Sequence, residues 1–137
     1  GDKEFQKYSF LSNKYIKVIP FINDMASAYS LSDLVICRSG ALTISELTAC
    51  GKPSILIPFA AAAGDHQLKN AKTLSKKGAS IIIEEKDLDS KILLSKINDL
   101  INDDSKLSSM SIASKKLGNK GATKMIVDLI AKGNYIV

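Results

Sequence analysis

The sequence predicts an α/β fold, a parallel sheet flanked by helices, and three observations predict it. Compact apolar runs without polar alternation stand at residues 34–37, 54–59 and 79–83, as suits strands buried on both faces of a parallel sheet. Stretches of helical periodicity lie between them. Glycine and proline punctuate the joints, so strand and helix signals alternate along the chain.

Each element has its own signal. Residues 15–19 alternate and end at Pro20, which reads as a first strand. Asp24 is placed to cap a short helix with Met25, Ala28, Tyr29 and Leu31 as its apolar stripe. Residues 34–37 form the second strand. Residues 42–49 read as helix, ended by Gly51 at the position that favours left-handed backbone. Pro53 blocks continuation. Residues 54–59 form the third strand, and residues 60–64 a small-residue loop. Asp65 is then placed to cap a helix through Gln67, Asn70 and Leu74 that stops near Gly78. Residues 79–83 form the fourth strand. Residues 88–137 are mainly helical. Ile92, Leu93, Ile97, Leu100 and Ile101 recur at helical spacing, and further helices are expected at 110–117 and 124–131. There is no repeat or low-complexity tract, so residues 1–137 are expected to form a single domain.

Composition narrows the function. Hydrophobic residues make up 45% and charged residues 24%, which excludes a disordered chain. No apolar run approaches the roughly 18 residues of a membrane span. No secretory leader is evident, so the expected compartment is the cytoplasm. The chain begins Gly-Asp-Lys-Glu, which reads as the interior of something longer. Two cysteines and one histidine are too few for a structural zinc site, which takes about four ligands. Cys37 and Cys50 are expected to be reduced, buried thiols, and neither metal nor cofactor is expected. The net charge of +5 is spread along the chain. It suits solvated helix faces or attraction to a nucleotide or a membrane surface. No arginine-rich arm or basic-aromatic interleaving points to nucleic acid.

In open parallel sheets, ligands bind beyond the carboxyl ends of the strands. The loops after residues 19, 36, 57 and 83 are therefore expected on one edge. The first carries Phe21, Ile22 and Met25. The second reads Arg38-Ser39-Gly40-Ala41-Leu42-Thr43. Gly40 suits a tight turn and has no side chain to hold a ligand away. The N–H groups of Ala41, Leu42 and Thr43 then lie at a helix N-terminus, a ready anion site. The Thr43 hydroxyl would join them. Glu46 lies one turn on, on the same helix face, where a carboxylate suits the two hydroxyls of a ribose. The third loop leads to His66, Gln67 and Asn70. Plainer readings exist. Thr43 and Glu46 have capping-box spacing. Phe21 suits a core and His66 a surface. Gln67 and Asn70 could face sugar hydroxyls or only water. Arg38 is the sole arginine, a fixed planar charge at a strand end, suited to organising the glycine turn or facing a diphosphate.

Taken together, these blocks resemble the C-terminal half of the MurG family, the UDP-N-acetylglucosamine transferases that act on a lipid-linked muramyl-pentapeptide in peptidoglycan synthesis. The matching pieces are Pro20-Phe21-Ile22-Asn23-Asp24-Met25-Ala26, Asp33-Leu34-Val35-Ile36-Cys37-Arg38-Ser39-Gly40-Ala41-Leu42-Thr43 with Glu46, Gly51-Lys52-Pro53-Ser54-Ile55-Leu56-Ile57-Pro58-Phe59, and Asp65-His66-Gln67-Leu68-Lys69-Asn70-Ala71. The resemblance implies a GT-B glycosyltransferase, with two Rossmann-like domains around a cleft, of which this chain is the truncated, donor-binding C-terminal part. It implies that Phe21 and Ile22 contact uracil, Ile22 through its backbone. It implies that Glu46 binds the ribose and that the Ala41-Leu42-Thr43 backbone faces the diphosphate. His66, Gln67 and Asn70 would face the N-acetylglucosamine, without a metal ion. The family's acceptor domain, catalytic base, lipid-facing surface and Gly-rich first strand lie outside this chain. The chain alone is therefore not expected to transfer sugar. The whole protein would sit peripherally on the cytoplasmic face of the membrane. Without its sheet neighbour, the strand at 15–19 is expected to fray, pair differently or pair with a second copy in a homodimer. Two alternatives stand beside this reading. One is the donor-binding domain or subunit of another UDP-sugar transferase of GT-B type. The other is a non-catalytic nucleotide-binding module.

Overall fold

The computed structural model describes residues 2–118. The helix expected at 124–131 lies outside these residues. Contacts divide the chain into two compact units, one ending at Leu31 and one beginning at Ser32.

The first unit holds α1 (Asp2–Tyr8), a 3-10 turn (Ser9–Leu11) and α2 (Met25–Leu31). The Asp24 carboxylate caps α2 as expected. It accepts from the Ser27 N–H at 3.0 Å and from the Ser27 hydroxyl at 2.6 Å. These two bonds hold its carboxyl below the usual range. Residues 15–19 do not form the expected strand. Their backbone is committed locally. Asn13 Oδ1 takes the N–H of Tyr15 and of Ile16, and Ser12 Oγ takes that of Val18. An N–H spent on a side-chain turn is not offered to a ladder. Of the outcomes expected for this run, the frayed one is seen.

The second unit begins with three parallel strands joined by helices. They are β1 (Val35–Cys37), α3 (Ala41–Cys50), β2 (Ser54–Leu56), α4 (His66–Lys76) and β3 (Ser80–Ile82). Strand order follows chain order, β1-β2-β3. Two helices follow, α5 (Ser90–Ile101) and α6 (Asp104–Leu117). Asp89 caps α5 by accepting from the Lys91 and Ile92 N–H groups, and Asp103 caps α6 by accepting from that of Lys106. Gly51 ends α3 with φ +66°, the backbone region that glycine enters without a Cβ penalty.

Register sets the two faces. Ile36, Ile55 and Ile81 align on one, and Cys37, Leu56 and Ile82 on the other. Ile55 and Ile83 pack on the first face with Leu100 of α5 and Met110 of α6, joined by Leu93, Ile97 and Leu107. The α5 stripe is thus narrower than the sequence reading, because Ile92 and Ile101 are exposed. Leu47, Leu56, Ala71 and Leu74 are also buried. The expectation of strands covered on both faces holds for β2, whose three residues are all buried. It fails at β1, where Ile36 is 41% exposed. Among the described residues, the pairings place β1 at the edge of the sheet.

The last turns of α6 close against the end of α3. The Ser111 hydroxyl donates to the Gly51 carbonyl at 2.8 Å, and that of Ser114 to the Leu47 carbonyl at 3.3 Å. The approach is tight enough that a Cβ at Gly118 would stand 2.5 Å from the Thr48 carbonyl oxygen. The cysteines are free. Cys37 is half-buried, and Cys50 is exposed rather than buried as expected. Burial pushes the Cys37 thiol up to about 11, so at neutral pH it is protonated and a poor nucleophile. No helix among the described residues is long and apolar enough to cross a membrane.

Candidate functional site at the carboxyl edge of the sheet

The loops after β1, β2 and β3 are tied to one another by side chains. Gln67, in the first turn of α4, is one tie. Its Oε1 accepts from the Phe59 N–H at 3.0 Å and from the Ser39 N–H at 3.3 Å. Two backbone donors converging on one atom require the oxygen there, which orients the amide. Asn70, one turn later, donates from Nδ2 to the Ser39 carbonyl at 3.0 Å. The Ser39 hydroxyl donates to the Gln67 carbonyl at 2.8 Å. Ser39 is fully buried, and its N–H, carbonyl and hydroxyl are all engaged within the protein. It fixes the turn before α3 and offers no surface to a ligand.

Arg38 is the second tie. Nη1 donates to the carbonyls of Ile57 and Pro58 at 3.2 and 3.3 Å. Nη2 pairs with Glu85 Oε1 at 2.6 Å. The guanidinium also lies over the Phe59 ring, 5.4 Å from its centroid. Glu85 Oε2 accepts from the Ala60 N–H at 2.8 Å. One arginine thus joins the ends of all three strands, a task that needs several donors held in one plane.

Glu85 was not singled out by the sequence reading. The loop after Ile83 was expected on this edge, but nothing local distinguishes Glu85 from Glu84. Its carboxyl is held below the usual glutamate range, first by the Ala60 N–H and then by Arg38. A depressed folded value means the interaction is complete above the ordinary glutamate pKa and is lost as pH falls through the lower folded one. The Ala60 amide shift is accordingly expected to be flat from neutral to about pH 5 and to move in acid. An Ala60 amide that already titrates between neutral pH and about pH 5 would exclude a carboxyl held below the ordinary glutamate range as its acceptor.

Between these ties, α3 begins. Gly40 precedes it with φ −62° and ψ 152°, angles open to any residue, so the tight-turn reading of this glycine is corrected. A Cβ there would meet only Thr43 Oγ1, at 3.9 Å, an ordinary contact. Neither strain nor packing demands glycine at this position. The first intrahelical bond at this end runs from the Ile44 N–H to the Gly40 carbonyl at 3.0 Å. The N–H groups of Ala41, Leu42 and Thr43 precede it, where a helix offers them no partner of its own. No acidic side chain stands in the first turn. Ala41 and Leu42 are exposed, and Thr43 and Glu46 are half-buried. Because the helix starts at Ala41, Thr43 is its third residue, and the capping-box reading of Thr43 with Glu46 is excluded.

Two further expectations change at α4. Asp65 does not cap it. It sits at φ +55°, with no side-chain capping bond, because Gly64 and Asp65 both take left-handed angles and turn the chain into the helix. His66 is exposed, and a Cβ at Gly64 would lie 3.3 Å from its Nε2, so its ring lies over that glycine. Phe21, Ile22 and Met25 belong to the first unit. There Phe21 is 74% exposed, which excludes the plain core reading within that unit. No group of three or more metal-binding side chains occurs among the described residues. A recess of about 470 Å³ lined by Asp33, Lys52, Pro53, Leu107 and Ser111 stands before β1 and β2. None of the candidate site residues lines it.

The family profile described as "Glycosyltransferase family 28 C-terminal domain" matches residues 1–126. The chain belongs to this family. Curated relatives agree. The chain is 48% identical over 110 residues to the UDP-N-acetylglucosamine–N-acetylmuramyl-(pentapeptide) pyrophosphoryl-undecaprenol N-acetylglucosamine transferase of Syntrophotalea carbinolica, covering 80% of this chain and 31% of that protein. It is 43% identical over 129 residues to the protein of that name from Acetivibrio thermocellus, covering 94% and 35%. The solved structure of Acinetobacter baumannii MurG matches with a TM-score of 0.86 at 35% identity, over 96% of this chain and 41% of that one. This family 28 domain therefore spans about a third of the length of the curated relatives it matches.

Proposed function

We propose that the chain is the UDP-N-acetylglucosamine-binding part of an inverting N-acetylglucosaminyltransferase of peptidoglycan lipid-intermediate synthesis, inactive by itself. The supporting observation is the α3 N-terminus. Three successive N–H groups open beside a glycine that the protein's own geometry does not require. A diphosphate seated there has both the donors and the helix dipole in its favour. The same donors stabilise the negative charge that grows on UDP as the sugar departs, without rearrangement. Glu46, one turn along, takes the ribose hydroxyls. His66, with the remaining polar atoms of Gln67 and Asn70, takes the sugar. The acceptor, a lipid-linked muramyl-pentapeptide, and the catalytic base belong to the other parts of the enzyme. We place that enzyme peripherally on the cytoplasmic face of the membrane.

The test is a titration of the chain with UDP-N-acetylglucosamine followed by amide NMR. Shifts are expected at Ala41, Leu42 and Thr43. Glu46→Ala is expected to weaken binding about tenfold, the scale of one charged hydrogen bond. UDP binding as tightly as the sugar nucleotide would favour a plain nucleotide-binding module. A folded chain with no shifts would remove the α3 N-terminus as the donor site.

A further inference from the structure

We propose that Glu85 is a positioning residue for this site: it joins Arg38 to the loop after β2 and so holds the turn before α3 in its ligand-ready conformation. The inference rests on the anion-site reading of the α3 N-terminus.

The argument is geometric. Glu85 stands just beyond β3, and its two oxygens serve different elements. Oε1 pairs with Arg38 at 2.6 Å, and Oε2 takes the Ala60 N–H at 2.8 Å. Arg38 is two residues before Gly40. Its Nη1 is spent on the Ile57 and Pro58 carbonyls. The Arg38-Ser39-Gly40 turn is thus restrained on one side by Gln67 and Asn70, acting on Ser39, and on the other by Glu85, acting through Arg38. Without Glu85, the Ala60 N–H and Nη2 of Arg38 lose these acceptors. The Ser39 side of the turn would then be the only one held by a side chain from the α4 or β3 region. Precise placement of donors is what an anion site needs.

Position and charge make opposite predictions. Removing a carboxylate near an anion site should tighten anion binding if charge alone matters. Removing a support should weaken it. Glu85→Ala and Glu85→Gln, made in the full 137-residue chain, separate the two. In the ligand-free protein, the amides of Arg38 to Thr43 and of Ala60 are expected to shift or broaden in Glu85→Ala, while Ile55 and Leu100 stay in place. With UDP as probe, Glu85→Ala is expected to bind about fivefold more weakly, which is about 1 kcal/mol. Glu85→Gln, which keeps one acceptor oxygen and the side-chain volume, is expected to fall between it and wild type. Its reading decides the matter if Glu85→Ala does not fold. Unmoved Ser39 to Thr43 amides in the ligand-free variants would overturn the proposal, as would tighter UDP binding by both. If wild type binds no UDP, the donor-site reading fails instead, and the ligand-free spectra still decide whether Glu85 holds the turn.

Discussion

Ile55→Ala is expected to lower the unfolding free energy by about 3 kcal/mol. Ile55 is fully buried on the central strand and packs with Ile83, Leu100 and Met110. The deletion removes three carbons from a site bounded by a sheet on one side and two helices on the other. Neither wall can close the gap without disturbing the other. Small domains have about 5–15 kcal/mol in all, so the variant should remain folded in water with a much lower urea midpoint. The denaturation slope should stay the same. A loss below about 1 kcal/mol would mean that α5 and α6 settle onto the sheet and refill the space.

Gln67→Ala should cost nearly as much, for a different reason. It deletes the acceptor of two backbone N–H groups, and that of Ser39 belongs to a fully buried residue. A buried donor left unpaired costs about 1–3 kcal/mol. The expected loss is about 2 kcal/mol, together with a displaced α3 N-terminus and weaker nucleotide binding. Gln67→Glu keeps an acceptor in place and should recover part of the stability. If Gln67→Ala loses nucleotide affinity with its urea midpoint unchanged, Gln67 is a ligand contact only, and its hydrogen bonds to the loops are idle.

The sheet was legible where apolar runs were long and unbroken. Residues 34–37, 54–59 and 79–83 each contain a strand, and the helices between them follow from period and punctuation. The run at 15–19 carried a strand-like alternation, but a strand also needs a partner. Here Asn13 and Ser12 take the N–H groups first. Asp65 had the right side chain for a cap and the wrong backbone, since a preceding glycine in left-handed geometry is not visible as such in one sequence. The helix start after Gly40 was readable, and with it the N–H groups proposed here to hold an anion. Its supports were not. Arg38, Pro58, Ala60 and Glu85 are brought together only when three strands align, so no spacing rule within one segment could reveal the bridge. Gln67 and Asn70 were found as polar residues on one helical face. That they spend polar atoms on Ser39 rather than only on a ligand or water required the fold.

The sole arginine of the chain sits at the centre of this arrangement. A nitrogen-15 spectrum of the protein therefore contains a single guanidinium Nε–H resonance, with no assignment problem and no overlap. That one signal reports from the junction of three loops. Its position and linewidth register whether Glu85 still holds the guanidinium, and a shift on adding nucleotide would support the proposed anion site at the start of α3. The molecule carries its own site-specific probe, readable in any variant that keeps Arg38 without a mutation or a tag being introduced for the purpose.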